Sequence, residues 1–161
     1  SPMKKTNAAR ILDQHKIPYQ LIEYEVDENN LSAGLVAEKI GQSVEKVFKT
    51  LVLTGDKTGV LIAIIPGAHE VDLKNLALVS GNKKCLMVPL KEILGLTGYI
   101  RGGVSPVGMK KNYPTFIDSS CRNFDEIFVS AGIRGLQLFI SPIDLMKITK
   151  AKSGDISTNS K

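Results

Sequence analysis

Two apolar segments separated by a short polar loop constrain the fold of this 161-residue chain more than any other feature. The first runs from Val47 to Leu53 and the second from Val60 to Ile65. Both are rich in residues that favour β-strands. Between them lies Gly55-Asp56-Lys57-Thr58-Gly59. Strand-forming runs joined by a glycine-containing loop are typical of a β-hairpin, so the sequence predicts a hairpin over 47–65.

The segments around this hairpin alternate irregularly between helix and strand signals. Thr6, Ser32 and Asp72 are good helix caps. Proline at the first helical turn predicts one helix at Pro89–Leu94, stopped by Gly95, and a last helix after Ser141-Pro142. Further strands are predicted at Tyr19–Tyr24, Pro114–Asp118, Glu126–Ser130 and Leu136–Ile140. This mixture predicts an α+β (mixed α/β) fold.

The length of the chain suits one domain with its own core. We place that domain at residues 3–152, interpret residues 1–2 as a cloning remnant, and expect a flexible tail at 153–161, where the sequence turns polar. No apolar run approaches the roughly 20 residues that span a bilayer. No signal-type segment is present at the N-terminus, and we therefore expect a cytoplasmic protein with no membrane partner.

Charge and motif content restrict the chemistry. The net charge of +5 permits a polyanionic partner without requiring one. His15 and His69 do not have the spacing of metal ligands, and Cys85 and Cys121 form no CxxC pair. Nucleotide-binding glycine motifs and a Gly-x-Ser-x-Gly elbow are also missing. The sequence predicts neither a metal nor a cofactor, and it disfavours a Ser–His–Asp triad.

Lys49 is the most informative residue. Side chains alternate along a strand, so Lys49 shares a face with Leu51 and Leu53. A lysine against apolar surface either extends its ammonium group to water or is held there for a function. The pattern alone leaves both interpretations open.

Two loops offer possible ligand contacts. The segment from Gly98 to Gly108 contains Gly102-Gly103, whose backbone N–H groups could bind a carbonyl oxygen. The segment from Ser130 to Gly135 reads as a hairpin turn, in which Ser130 and Arg134 could also face a ligand. Either loop could equally serve the fold alone.

Three segments in order carry a resemblance to a known family: Val47-Phe48-Lys49-Thr50-Leu51, Gly98-Tyr99 with Gly102 to Gly108, and Val129 to Leu136. Together they resemble the YbaK/EbsC family, whose members are related to the editing domain of bacterial prolyl-tRNA synthetases. The resemblance implies a barrel-like mixed sheet surrounded by short helices. It also implies a deacylase that removes cysteine from mischarged tRNA(Pro), or from tRNA(Cys). Its partners would be the acceptor end of the aminoacyl-tRNA and a prolyl-tRNA synthetase.

The resemblance also implies the site residues. Lys49 matches the family's essential lysine. The substrate-binding positions would be Tyr24, Ser32, Thr50, Gly102, Gly103, Ser105, Pro106, Ser130, Gly132, Arg134 and Gln137.

Two of these positions depart from the family pattern. Cysteine-specific members often carry aspartate where this chain has Gln137, and asparagine where it has Ser32. The departures leave open a deacylase for another small amino acid, such as alanine. A regulatory module that binds a nucleotide or an aminoacyl group without catalysis is a further alternative.

Overall fold

The computed structural model describes residues 5–159, in which helices and strands follow one another in irregular order. The helices are α1 (Asn7–Gln14), α2 (Ala33–Ile40), α3 (Leu73–Ser80), α4 (Ile93–Thr97) and α5 (Pro142–Thr149). Short 3-10 turns occur at Val44–Lys46, Leu90–Glu92 and Ser119–Asn123. The strands are β1 (Gln20–Glu23), β2 (Phe48–Gly55), β3 (Gly59–Pro66), β4 (His69–Val71), β5 (Cys85–Met87), β6 (Thr115–Asp118), β7 (Ile127–Ser130), β8 (Leu136–Ile140), β9 (Lys152–Gly154) and β10 (Ser157–Asn159).

The predicted hairpin is confirmed and lies inside the largest sheet. Strands β2 and β3 pair antiparallel, with Lys49 opposite Ile65, in a sheet of order β5-β2-β3-β6-β9. A second sheet has the order β1-β8-β7, and β10 pairs with β4 in a third. An isolated parallel bridge between Val47, the residue before β2, and Phe128 of β7 connects the two strands. This bridge brings the second sheet alongside the first half of β2.

Both faces of the hairpin are buried. On one face Phe48 and Val52 pack with residues of α1, β7 and β8. On the other face Leu53 and Ile65 pack with residues of α3 and β6. Leu51 packs against this second cluster, so Lys49 lies on an apolar face, as the alternation of side chains predicts.

The predicted helix caps are confirmed. The side chains of Thr6, Ser32 and Asp72 accept hydrogen bonds from Ala9, Leu35 and Asn75 backbone N–H groups, at 3.3, 3.3 and 2.9 Å. The α+β fold class is confirmed with them. Within residues 5–159, no helix has both the length and the apolarity needed to cross a membrane.

Three expectations are corrected. The barrel-like sheet is not observed, because the strands of residues 5–159 form three open sheets. Gly95 does not end a helix; α4 continues to Thr97 and stops at Gly98, which adopts the left-handed conformation. The tail predicted to be flexible instead contains β9 and β10, because Ile156 is fully buried between them in the cluster under α3. Residues 1–2 and 160–161 lie outside the described part of the chain.

The loop of the central hairpin is held by one buried residue, Asn82. Its Oδ1 accepts hydrogen bonds from the Lys57 and Thr58 backbone N–H groups at 2.8 and 3.0 Å. Its Nδ2 donates to the Thr58 and Ser80 hydroxyls at 3.0 and 2.8 Å. Three of these hydrogen bonds join Asn82 to the loop, and the fourth holds Asn82 to Ser80, the last residue of α3.

We expect Asn82→Ala to lower the free energy of unfolding by about 1–3 kcal/mol, because it leaves the Lys57 and Thr58 backbone N–H groups without their acceptor. Urea unfolding of the two proteins measures this difference. The matched control is Asn29→Ala, at an exposed loop position, which we expect to change stability by less than about 0.5 kcal/mol. An unchanged urea midpoint for Asn82→Ala would show that the hairpin loop does not depend on this residue.

Candidate functional site

The site begins at an unpaired edge of β2. The Val52 carbonyl accepts a hydrogen bond from the Val88 N–H at 3.1 Å, and β5 pairs with β2 from Leu53 to Gly55. In the described chain no strand pairs with this edge between Val47 and Val52. Backbone groups of alternate residues point to the same edge of a strand. The N–H and carbonyl groups of Thr50 therefore point to the same side as those of Val52, away from β3.

A cavity of about 490 Å³ occupies this side of β2. Its polar wall comes from β2, from the beginning of β8 and from the loop before α2. Its apolar wall comes from β5 and the turn that follows. The lining residues include Tyr24, Ser32, Lys49, Thr50, Gly102 and Gln137 among those predicted from the sequence, together with Ala33, Val36, Gly67, Met87, Val88, Leu90, Ile93 and Arg101.

Lys49 is half-buried in the wall of this cavity. Burial lowers the pKa of its ammonium group, and the charge of Glu70 opposes that shift. In the described residues no carboxylate lies within 4.0 Å of its Nζ atom. A cation without a close counter-ion in a partly desolvated cavity is suited to an anionic or carbonyl oxygen of a ligand.

Thr50 and Gln137 both line this cavity, and each also has one buried polar atom of unusual kind. Thr50 Oγ1 and Gln137 Oε1 are buried and have no hydrogen-bond partner among residues 5–159. The Gln137 residue is only 5% exposed. Buried polar atoms of folded proteins nearly always have partners, so two unpaired atoms on residues that line one cavity point to contact with a ligand there.

Tyr24 and Ser32 lie beside α2 at the cavity wall. Ser32 caps α2 through its hydroxyl, which leaves that side chain with a structural role. Gly67 lies against the first residue of α2, and its N–H donates to the Val47 carbonyl at 2.7 Å. A β-carbon at Gly67 would come within 3.0 Å of the Ala33 β-carbon. The close contact between the β3–β4 turn and α2 therefore requires glycine.

The Gly102-Gly103 segment reaches the cavity with one residue. Gly102 lines the cavity. Gly103 is buried against the backbone of Ile133, and its N–H donates to the Ile100 carbonyl at 2.9 Å. The Gly103 N–H is thus used within the loop, and the expectation that both glycines bind a carbonyl oxygen is corrected for Gly103.

The other predicted positions do not line the cavity. Ser105 is fully buried, and its hydroxyl accepts from the Val107 N–H at 3.2 Å. Pro106 lines a separate depression between α1 and α5. The Ser130 hydroxyl accepts from the Gly132 N–H at 3.1 Å, and Gly132 has a φ of +109° beside the Tyr99 ring. These residues shape the loops behind the cavity.

Arg134 connects two loops at the edge of the site. Its Nε donates to the Arg101 carbonyl at 2.8 Å, and its Nη1 lies 2.5 Å from Glu28 Oε2. Arg134 therefore positions Arg101 and the loop before α2 without lining the cavity itself.

Outside the cavity, His69 contacts a serine and a glutamate, an arrangement that the sequence does not predict. His69 Nδ1 lies 3.3 Å from the Ser157 hydroxyl, and His69 Nε2 lies 3.2 Å from Glu45 Oε2. The order serine, histidine, acid is that of a hydrolase triad. None of the three residues lines the cavity, and their contacts join β4 to β10 and to the 3-10 turn before β2. We assign the chain of contacts to the fold. In residues 5–159, His, Cys, Asp and Glu form no group of three that could hold a metal ion.

The sequence also does not predict the residues that form the apolar wall of the cavity. Met87, Leu90 and Ile93 come from a segment whose sequence predicts only a short helix. Their exposure in the structure marks them as candidate ligand contacts, since Met87 and Leu90 are 48% and 59% exposed although they are large and apolar. Only the folded chain shows that they line the same cavity as Lys49.

Comparisons with known proteins connect this cavity to a family. A model of the family described as the aminoacyl-tRNA editing domain matches residues 27–148. A protein of Enterococcus faecalis, EbsC, described as a candidate Cys-tRNA(Pro)/Cys-tRNA(Cys) deacylase, is 47% identical over 155 residues, or 96% of this chain and 94% of EbsC. A 76-residue stretch of the proline–tRNA ligase of Thermosipho africanus is 33% identical, covering 47% of this chain and 13% of the ligase.

A solved structure agrees in fold. The crystal structure of a candidate trans-editing enzyme for prolyl-tRNA synthetase superposes with a TM-score of 0.81, at 23% identity, over 97% of this chain and 100% of that one. At this identity the likeness concerns the fold. The matched family covers the cavity residues from the loop before α2 to Gln137. The resemblance to the YbaK/EbsC family is confirmed, and the chain belongs to the aminoacyl-tRNA editing domain family.

Proposed function

We propose that this protein is an aminoacyl-tRNA deacylase that hydrolyses the ester of mischarged Cys-tRNA(Pro) in trans. The observation that carries the proposal is the cavity at the open edge of β2. There half-buried Lys49, with no close counter-ion among residues 5–159, shares the cavity wall with Thr50 and Gln137, each of which has one buried polar atom without a partner in the same part of the chain. EbsC, with 47% identity over nearly the whole chain, supports the same activity.

The cavity suits an ester that is positioned by electrostatics. Lys49 would hold an oxygen of the terminal ribose, of a phosphate or of the ester itself. The Thr50 N–H, at the unpaired edge of β2, and the Gly102 backbone are the proposed donors to the ester carbonyl. Holding the reacting groups in this geometry supplies rate without a covalent enzyme intermediate.

As far as residues 5–159 form it, the cavity wall includes neither a cysteine nor a histidine that could activate the hydroxyl groups of Ser32, Thr50 and Tyr24. We therefore propose that the nucleophile comes with the substrate. The cysteinyl thiol loses its proton and the thiolate attacks the ester carbonyl carbon, so that a C–S bond forms, the C–O bond to the ribose breaks, and the ribose oxygen takes up the proton that the thiol released. Water then opens the cyclic thioester to give free cysteine. Attack by water at the same carbon would remove amino acids that have no thiol.

The proposal also concerns which part of the tRNA enters the cavity and how the tRNA reaches it. The cavity of about 490 Å³ accommodates an aminoacyl group with part of the terminal nucleoside, so the acceptor end is the part of tRNA that would enter. We propose that a prolyl-tRNA synthetase delivers the tRNA, since a net charge of +5 supplies only modest attraction for the phosphates. The proposed deacylase domain is 3–152, extended by β9 and β10, which close its core around Ile156.

The test is loss of the ester from Cys-tRNA(Pro), Ala-tRNA(Pro) and Pro-tRNA(Pro) incubated with the purified protein. We expect rapid deacylation of the cysteinyl ester and little of the prolyl ester. Preferential loss of the alanyl ester would keep the enzyme class and replace thiol attack by water attack. Binding of the cysteinyl ester without any turnover, by a protein that circular dichroism shows to be folded, would overturn the proposal in favour of a regulatory binding module.

A further inference from the structure

The unpaired atoms Thr50 Oγ1 and Gln137 Oε1 restrict the chemistry of the ligand more than Lys49 does, because they call for hydrogen-bond donors. Gln137 Oε1 can only accept hydrogen bonds, and Thr50 Oγ1 can accept one while donating another. A buried acceptor without a partner costs about 1–3 kcal/mol. A bound group with several N–H or O–H donors would remove this cost at both atoms.

The positions of Lys49 and Thr50 separate two kinds of ligand group. Neighbouring residues of a strand point to opposite faces, so the Lys49 ammonium and the Thr50 hydroxyl project on different sides of β2. Lys49 and the N–H groups of the strand edge suit oxygens of a ligand. The Thr50 hydroxyl, the Thr50 carbonyl at the strand edge and Gln137 Oε1 are acceptors on residues that line the same cavity.

We propose that Gln137 and Thr50 form a subsite for the α-ammonium group of the aminoacyl ester. This inference rests on the proposed function. The α-ammonium carries three N–H donors and a positive charge, and it is the group of an aminoacyl ester best matched to several acceptors in one cavity wall. If the α-ammonium lies on the Thr50 side of β2, it is separated from the Lys49 ammonium, which lies on the other side of the strand.

The subsite gives the enzyme a selection rule. An ester whose α-nitrogen is acylated has lost the charge and two of the three donors, and its acyl group would occupy the space beside Gln137. A site built around hydrogen bonds to a substrate strongly rejects an analogue that cannot make them. Aminoacyl-tRNA would be hydrolysed, whereas N-blocked and peptidyl-tRNA would be spared.

The experiment compares cysteinyl-tRNA(Pro) with N-acetyl-cysteinyl-tRNA(Pro). Both esters keep the thiol, so the chemistry of attack is the same and recognition of the nitrogen differs. We expect wild-type kcat/KM to be about 10- to 100-fold higher for the free amine, in line with hydrogen bonds to a charged group. Equal hydrolysis of the two esters, within twofold, would overturn the inference while leaving the deacylase activity established.

Three variants connect the effect to Gln137. Gln137→Leu should lower kcat/KM for the free amine about tenfold or more and leave the N-acetyl ester unchanged, so that the two values converge. Gln137→Glu keeps an acceptor and should keep the preference. Gln20→Leu makes the same change at an exposed position of β1, in the same sheet as Gln137, and should not alter the ratio. An equal loss on both esters for Gln137→Leu would indicate a merely structural role and contradict the inference.

A binding measurement keeps the inference separate from turnover. In 3′-cysteinylamido-adenosine an amide replaces the ester, so the compound is not hydrolysed. Calorimetry with this compound and with its N-acetyl derivative should show preference for the free amine in wild type and its loss in Gln137→Leu. Failure of deacylation with this preference intact would overturn the proposed function alone. Equal affinity for the two compounds, or no binding of either, would overturn the ammonium subsite.

Discussion

Lys49→Ala is expected to lower kcat/KM for hydrolysis of Cys-tRNA(Pro) by about a hundred- to a thousandfold, with the fold retained. The side chain is the cation of the cavity wall and has no close carboxylate partner in the described structure. Removing a positioned charge that stabilises a reacting oxygen has effects of this size. Single-turnover deacylation with radiolabelled cysteine measures the rate, and near-ultraviolet circular dichroism verifies the fold.

The matched control is Lys57→Ala. Lys57 belongs to the same hairpin and is exposed in its loop, outside the cavity. Its loss should leave kcat/KM within about twofold, because a solvated surface charge contributes little at this distance. A fully active Lys49→Ala protein would remove the central claim for the site, and an equal loss in Lys57→Ala would indicate a general charge effect on tRNA capture.

The lowered pKa of Lys49 can be tested separately from activity, through the pH dependence of folding stability. Burial lowers the pKa of Lys49 from its ordinary value of 10.5, so the unfolded chain binds this proton more tightly than the folded protein does. The charged form therefore destabilises the fold below the lowered pKa, and this penalty disappears as the pH rises toward 10.5. We expect Lys49→Met to be at least as stable as wild type at pH 7 and to lose that advantage in alkaline buffer.

Many of the structural elements that carry the site can be predicted from local sequence patterns. The hairpin at 47–65, the caps at Thr6, Ser32 and Asp72, and the face on which Lys49 lies are each set by residues within a few positions of one another. Strand alternation and capping depend on such short-range geometry, which one sequence contains in full.

The cavity itself depends on contacts that no local pattern contains. The beginnings of β2 and β7 meet through one bridge, from Val47 to Phe128, and this bridge places Gln137 in the same cavity as Thr50. The Ser130 and Ser105 hydroxyls are polar atoms in the right segments, yet each is used by an N–H two residues later. Sequence position therefore identifies segments near the site, and long-range packing decides which side chains enter it.

Gly67 is the position at which packing and activity should fail together. Its N–H donates to the Val47 carbonyl, and a β-carbon there would come within 3.0 Å of Ala33, the first residue of α2. The neighbouring atom is itself a β-carbon next to the helix backbone, so it cannot move unless α2 moves. We expect Gly67→Val to lower the free energy of unfolding by about 3 kcal/mol through overpacking.

The same substitution should lower deacylation by at least about tenfold even where the protein remains folded. Because Ala33 and Val36 of α2 line the cavity, displacement of the helix changes the distance between that wall and Lys49, and small misplacements of positioning groups have large effects on rate. Thermal unfolding and deacylation rates, measured well below the melting temperature, separate the two effects.

Gly95 provides the matched control for Gly67. It lies within α4, and a β-carbon there would meet no atom within 4 Å. Gly95→Ala should leave activity unchanged and raise stability by about 0.5–1 kcal/mol, since alanine favours the helix. A Gly67→Val protein with normal stability and activity would mean that α2 can shift freely, and the cavity would then owe its shape to β2 and the glycine-rich loop alone.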